Sequence, residues 1–156
     1  MTSMQDTVGS VPKEGDSAPK FKLPAHPSGM IGLDDYLGKK NVILAFYPKD
    51  DTPGCTKEMC AFSKDLSQFD DANTQVLGIS CDSVQSHEKF SGKFSLKQPL
   101  LADVDGRVGR SYGTVSAGKS TASRKLFVID KKGVIKHIYE GMPDNDTLLS
   151  FVKSLK

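Results

Sequence analysis

Residues 42–62 read Val42-Ile43-Leu44-Ala45-Phe46-Tyr47-Pro48-Lys49-Asp50-Asp51-Thr52-Pro53-Gly54-Cys55-Thr56-Lys57-Glu58-Met59-Cys60-Ala61-Phe62, and this stretch decides the fold. Residues 42–47 are apolar, β-branched and aromatic-rich; the run is too short for a buried helix and suits a central strand of a parallel sheet. Pro48 ends that strand. After the loop Lys49-Asp50-Asp51, Thr52 is a hydroxyl N-cap candidate just before Pro53, a residue suited to the first helical position. Cys55 then falls in the first helical turn, where free backbone N–H groups and the positive end of the macrodipole favour a thiolate.

Ionisation alone gains a thiol little, because nucleophilicity falls with basicity, with a slope of ~0.4–0.5 in thiol–disulfide exchange. A fast nucleophile also needs groups that hold the electrophile and stabilise its leaving group. Cys60 stands five residues beyond Cys55. On an ideal helix such positions lie about 140° apart with ~7.5 Å of rise, so their Cα atoms are roughly 8.5–9 Å apart. A disulfide tolerates about 7 Å, so a bridge between these two requires the helix start to unwind.

Working outward, the helix that carries both cysteines is expected to run to about Phe69, with Phe62, Leu66 and Phe69 at core-facing spacing. Gln75 to Ser80 reads as the next strand, followed by Cys81-Asp82-Ser83 and a helix over 84–93. Pro99 to Ala102 is an extended segment, and Asp105-Gly106 to Tyr112 a turn of helix. Lys125 to Ile129 and Val134 to Tyr139 flank Asp130-Lys131-Lys132-Gly133, a hairpin signal. A last helix starts near Asp144 to Asp146 and carries Leu148, Leu149, Val152 and Leu155 at helical spacing. Upstream, Phe21 to Leu23 and Met30 to Leu33 pair as an N-terminal hairpin, and Asp34 to Leu37 forms a helical turn ending at Gly38.

This order is that of an α/β, thioredoxin-like fold: a central mixed β-sheet flanked by helices, with an N-terminal β-hairpin extension. In such sheets chemistry gathers at the carboxyl ends of the strands, where Pro48 to Cys55 and Cys81 fall. Residues 1–14 are polar and read as a flexible leader, leaving 15–156 as a single domain. A chain of 156 residues suits one domain and can bury a real core. Twenty-one basic against nineteen acidic residues give a net charge of +2 with no dense basic stripe, so no nucleic-acid partner is suggested. No long apolar run or signal-like N-terminus is present, so a cytoplasmic protein without a membrane span is expected. In that compartment three cysteines suit redox chemistry better than structural bridges. The histidines at 26, 87 and 137 lie in separate elements, and C-x4-C is not a zinc spacing.

Pro48-x-x-x-Thr52-x-x-Cys55, followed by Thr56-x-Glu58-x-Cys60, resembles the active-site motif of the peroxiredoxins, in particular the bacterioferritin comigratory protein or peroxiredoxin Q subfamily. The resemblance extends to Gly15-Asp16-x-Ala18-Pro19-x-Phe21, to Gly78-Ile79-Ser80-x-Asp82 and to Arg124-x-x-Phe127-x-Ile129-Asp130-x-x-Gly133, and covers residues 15–156. It implies a thiol peroxidase for hydrogen peroxide and organic hydroperoxides, in which Cys55 is peroxidatic and Cys60 resolving. It further implies an intramolecular Cys55–Cys60 disulfide, recycled by thioredoxin or a similar dithiol, with no metal, haem or flavin cofactor. Thr52 and Arg124 would position the peroxide, and Pro48 would shield Cys55 from water.

On the residues alone, Pro48 is a strand terminator, Thr52 an N-cap and Arg124 a surface guanidinium. Glu58 and Cys81 are auxiliary candidates. Glu58, one helical turn past Cys55, could orient the first-turn amides, pair with a lysine or simply face solvent. Cys81 packs at a strand end or serves as an alternative resolver. A monomer is expected, with a weak dimer as the alternative. A disulfide oxidoreductase is the second reading, weakened by the lack of C-x2-C, and a non-catalytic redox sensor the third.

Overall fold

The computed structural model describes residues 11–155. Its strands are β1 (Lys22–His26), β2 (Met30–Gly32), β3 (Asn41–Phe46), β4 (Thr74–Ser80), β5 (Leu100–Ala102), β6 (Lys125–Ile129) and β7 (Ile135–Glu140). Its helices are α1 (Pro53–Lys64), α2 (Leu66–Asp71), α3 (Val84–Phe94), α4 (Arg107–Ser111) and α5 (Asn145–Lys153), with a 3₁₀ turn at Leu33–Asp35. The strands form one mixed sheet in the order β2-β1-β5-β4-β3-β6-β7. Central β3 is buried at every residue, pairs parallel with β4 from Asn41↔Thr74 to Phe46↔Ile79, and pairs antiparallel with β6 from Val42↔Ile129 to Phe46↔Lys125. This is the thioredoxin-like architecture expected, and the β1–β2 hairpin joins the same sheet through β5.

Alternation along the strands divides the core in two. Val42, Leu44 and Phe46 of β3 face a layer with Leu33, Val108, Tyr112 and Ile135. Ile43 and Ala45, with Tyr47 just beyond, face the layer built by Cys55, Met59 and Phe62 of α1, Phe90 of α3 and Leu148, Leu149 and Val152 of α5.

Two local expectations need correction. The helix carrying the cysteines does not run unbroken to Phe69: Asp65, at φ −104° and ψ 15°, ends α1 and starts α2. The apolar spacing survives the break because Phe62 and Phe69 remain in one layer with Leu66 packed against it. Thr52 takes the N-cap position with extended backbone, but its hydroxyl caps nothing; it donates to the Lys49 carbonyl at 2.8 Å. Of the expected leader, residues 1–10 lie outside the described residues. The Glu14 carboxylate accepts from the Ile138 amide at 3.0 Å and pairs with His137 at 3.3 Å. Among the described residues no helix is long and apolar enough to cross a membrane.

Candidate active site

The site is assembled where β3 ends. The pairing of Phe46 with Lys125 sets the start of β6 beside the end of β3, so Arg124 stands next to the loop that leads to α1. Its backbone is held there by the Gly141 amide, which donates to the Arg124 carbonyl at 3.0 Å. Pro53 opens α1 in the first turn, and Cys55 follows it, fully buried.

The Arg124 guanidinium holds two groups on α1. Nη2 donates to Cys55 Sγ at 3.3 Å and Nη1 donates to Glu58 Oε1 at 2.7 Å. Cys55 and Glu58 are three residues apart, so one helical face presents both to the fork. Burial alone would pull the guanidinium's pKa down, but hydrogen bonds and charge from Cys55 and Glu58 raise it above its ordinary value. Arg124 therefore carries its charge throughout. Gly54 allows the approach: a Cβ there would lie 3.1 Å from Nη2.

Glu58 is the more unusual partner. Its side chain is only 4% exposed, and among the described residues Oε2 has no hydrogen-bond partner. Burial pushes its carboxyl up from 4.5 to about 7, against the pull of Arg124. Beside it, a cleft of about 490 Å³ opens between α1 and the loop before α5, walled by Lys57, Glu58, Ala61, Met142, Pro143 and Asn145. Cys55 is not among its walls. Glu58 is the residue that belongs to both the cleft and the thiol's surroundings.

The structure brings together Cys55, Glu58 and Arg124, and places half-buried Pro48 and Thr52 on the loop that joins β3 to α1. Cys60 is half-buried on α1 and packs against the layer that contains Cys55. Cys81 packs against the opposite layer, next to Gly106. Burial first, then Asp103 and Asp82, raise its thiol's pKa.

Sequence reasoning missed a buried polar network behind the loop. Asp50 Oδ1 accepts from the Tyr47 hydroxyl at 2.6 Å, while Oδ2 accepts from the Ser86 hydroxyl at 2.8 Å and lies 2.7 Å from His87 Nδ1. His87 Nε2 lies 2.8 Å from the Leu101 carbonyl, so both ring nitrogens face acceptors. Asp82 Oδ2 accepts from the Asp50 amide at 2.8 Å and from the Ser80 hydroxyl at 2.7 Å. Burial works against the Asp50 carboxylate, yet His87, Tyr47 and Ser86 together hold its pKa below the usual value. Burial first and Asp50 second push the Tyr47 hydroxyl well above its ordinary range. The only advance signal was three histidines scattered over separate elements.

Comparison with known proteins identifies the family of the chain. A family model, the AhpC/TSA family, matches residues 14–138. A putative peroxiredoxin bcp from Coxiella burnetii (strain RSA 493 / Nine Mile phase I) is 47% identical over 132 residues, spanning 80% of this chain and 86% of that protein. The chloroplastic 2-Cys peroxiredoxin BAS1 of Spinacia oleracea is 42% identical over 81% of this chain, which spans only 52% of that relative's length. Among solved structures, peroxidoxin BcpB from Mycobacterium tuberculosis superposes with a TM-score of 0.84 at 30% identity, covering 92% of this chain and 98% of that one.

Proposed function

The chain belongs to the AhpC/TSA family and is a peroxiredoxin, a thiol-dependent peroxidase, and from that premise we propose that Cys55 is its peroxidatic nucleophile and Cys60 its resolving cysteine. The observation that carries this reading is the Arg124 guanidinium 3.3 Å from Cys55 Sγ, at the first turn of a helix.

In the first step the Cys55 thiolate attacks the terminal oxygen of a peroxide. An S–O bond forms, the O–O bond breaks, sulfur is oxidised to the sulfenic acid and the alkoxide or hydroxide leaves to be protonated. Arg124 stabilises the anion before attack and the departing oxygen after it. Thr52 positions the peroxide, Pro48 limits water at the thiol and Glu58 fixes the guanidinium. In the second step Cys60 sulfur attacks the sulfenic sulfur, water leaves and a Cys55–Cys60 disulfide forms. Thioredoxin or a similar dithiol then reduces that disulfide, and the cycle needs no bound cofactor. The preferred substrates are hydrogen peroxide and organic hydroperoxides, and the working unit is a single domain over 15–156 that acts as a monomer.

Stopped-flow titration of the reduced protein with hydrogen peroxide, followed by peptide mapping, tests this on wild type, Cys60→Ser and Cys81→Ser. Rapid stoichiometric oxidation with a Cys55–Cys60 bridge, lost only in Cys60→Ser, is the expected result. A Cys55–Cys81 bridge would transfer the resolving role, and sluggish oxidation of Cys55 would remove the peroxidatic assignment.

A further inference from the structure

Pairing of Cys55 with Cys60 requires part of α1 to unwind, and the tethers on that helix are unevenly placed. Gln98, 1% exposed, donates from Nε2 to the Met59 carbonyl at 3.0 Å, with Met59 Sδ at 3.5 Å. Its Oε1 accepts from the Ser63 hydroxyl, which in turn accepts from the Lys97 amide at 3.0 Å. A carbonyl only accepts, so the amide's NH₂ must face Met59 and its oxygen Ser63. Asn145 adds a second tether, donating from Nδ2 to the Ala61 carbonyl and to Asp65 Oδ2, both at 2.9 Å. Met59 itself is fully buried.

All of these contacts lie at or beyond Met59. Among the described residues, the side-chain hydrogen bonds that reach Pro53–Glu58 from other elements all come from Arg124, through Cys55 and Glu58. That grip is the one the chemistry weakens. In the proposed first step oxidation replaces an anionic sulfur with a neutral sulfenic acid, so the bond to the Arg124 guanidinium no longer joins opposite charges and weakens. The downstream tethers are neutral or remote from the reacting sulfur, so its oxidation does not alter their charge.

We propose that Gln98 is a positioning residue for the resolving step: it pins α1 at Met59, so that Pro53–Glu58 unwinds and carries Cys55 to a Cys60 that stays in place. The inference rests on the assignment of Cys60 as resolving cysteine. Cys60 is the next residue after the pin, so its position is inherited from Met59. Reach is not limiting, since five residues of released chain can span about 16 Å. What limits the rate is how often the two sulfurs meet, and a fixed acceptor raises that frequency.

The test separates the two oxidation steps by stopped flow with hydrogen peroxide in wild type, Gln98→Met and Ser63→Ala. Gln98→Met supplies an unbranched apolar side chain of similar length while removing the hydrogen bonds to the Met59 carbonyl and to Ser63, and Ser63→Ala removes the second of these together with the Lys97 contact, carrying the test if the first variant does not fold. Oxidation of Cys55 should stay within about two-fold of wild type in both, because neither residue touches the peroxide site. Disulfide formation should slow roughly ten-fold in Gln98→Met and less in Ser63→Ala, with more sulfinic acid at excess peroxide. In the oxidised wild type the amides of Ser63 and Lys64 should remain protected from hydrogen exchange while those of 57–60 are lost; in Gln98→Met they should exchange as well. Unchanged or faster disulfide formation in folded variants overturns the pin. A wild-type peptide map without the Cys55–Cys60 bridge instead overturns the resolving assignment on which it rests.

Discussion

Replacing Glu58 with glutamine should change how stability depends on pH, and the magnitude can be worked from burial. The carboxyl is nearly inaccessible and burial pushes it up from 4.5 in the free residue to about 7 in the fold, which corresponds to about 3 kcal/mol. The sign follows from which state holds the proton. Between pH 4.5 and about 7 the folded protein keeps Glu58 protonated while the unfolded chain releases the proton. Stability from this group is therefore complete below the lower value and is lost as pH rises through the upper one, at up to about 1.4 kcal/mol per pH unit. Glu58→Gln keeps an oxygen for Arg124 Nη1 and never ionises. Urea unfolding of the reduced proteins at pH 5, 6, 7 and 8 should show the variant gaining on wild type by about 1–3 kcal/mol over that range, with any constant cost of the amide cancelling in the difference. A difference flat to within about 0.5 kcal/mol would mean that Glu58 is already ionised in the fold and that its unpartnered Oε2 finds a partner at neutral pH.

Two further substitutions probe the same end of the sheet. Arg124→Lys should slow oxidation of Cys55 by peroxide on the order of 10²-fold in stopped flow while leaving the fold intact, because an ammonium cannot hold Cys55 Sγ and Glu58 Oε1 at once; near-normal kinetics would remove the arginine from the chemistry. Tyr47→Phe withdraws the donor from Asp50 Oδ1 in a fully buried site and should cost roughly 1–3 kcal/mol in urea unfolding, with a change below about 0.5 kcal/mol counting against the network as a fastening for the loop.

The central strand, the turn of helix behind it and Cys55 were legible because each is written in neighbouring residues: an apolar run, a proline, a hydroxyl, another proline and a thiol within 42–55. Arg124 was not legible from its own surroundings and came only through family resemblance, since its place beside Cys55 depends on strand pairing across 69 positions. The break at Asp65 escaped for a similar reason. Its side chain accepts from Asn145, 80 residues away, and local apolar spacing carries no trace of that contact. Thr52 shows the opposite error: a strong local cap signal was overridden because the Lys49 carbonyl lies within reach of its hydroxyl. Asp50 and His87 were passed over because a loop carboxylate and a helical histidine acquire meaning only when the fold buries them together.

Taken with the tethers on α1, the Asp50 network sets the other limit of the segment proposed to unwind. Asp50 is fastened by its amide to Asp82 and by its side chain to Tyr47, Ser86 and His87, so the chain is anchored up to that residue. Gln98 takes hold again at Met59. Between them lie residues 51–58, which include Thr52 and Cys55 and are bound to the sheet through Arg124. Asp51 sits at the joint with φ +59°, a left-handed conformation that non-glycine residues seldom adopt, and the Lys93 ion pair that meets its carboxylate at 3.0 Å is exposed on both sides and correspondingly weak. A segment held firmly at both ends and through Arg124 in its middle would confine the proposed unwinding to the reacting cysteine, releasing Cys55 while the sheet, Cys60 and Arg124 stay where they are.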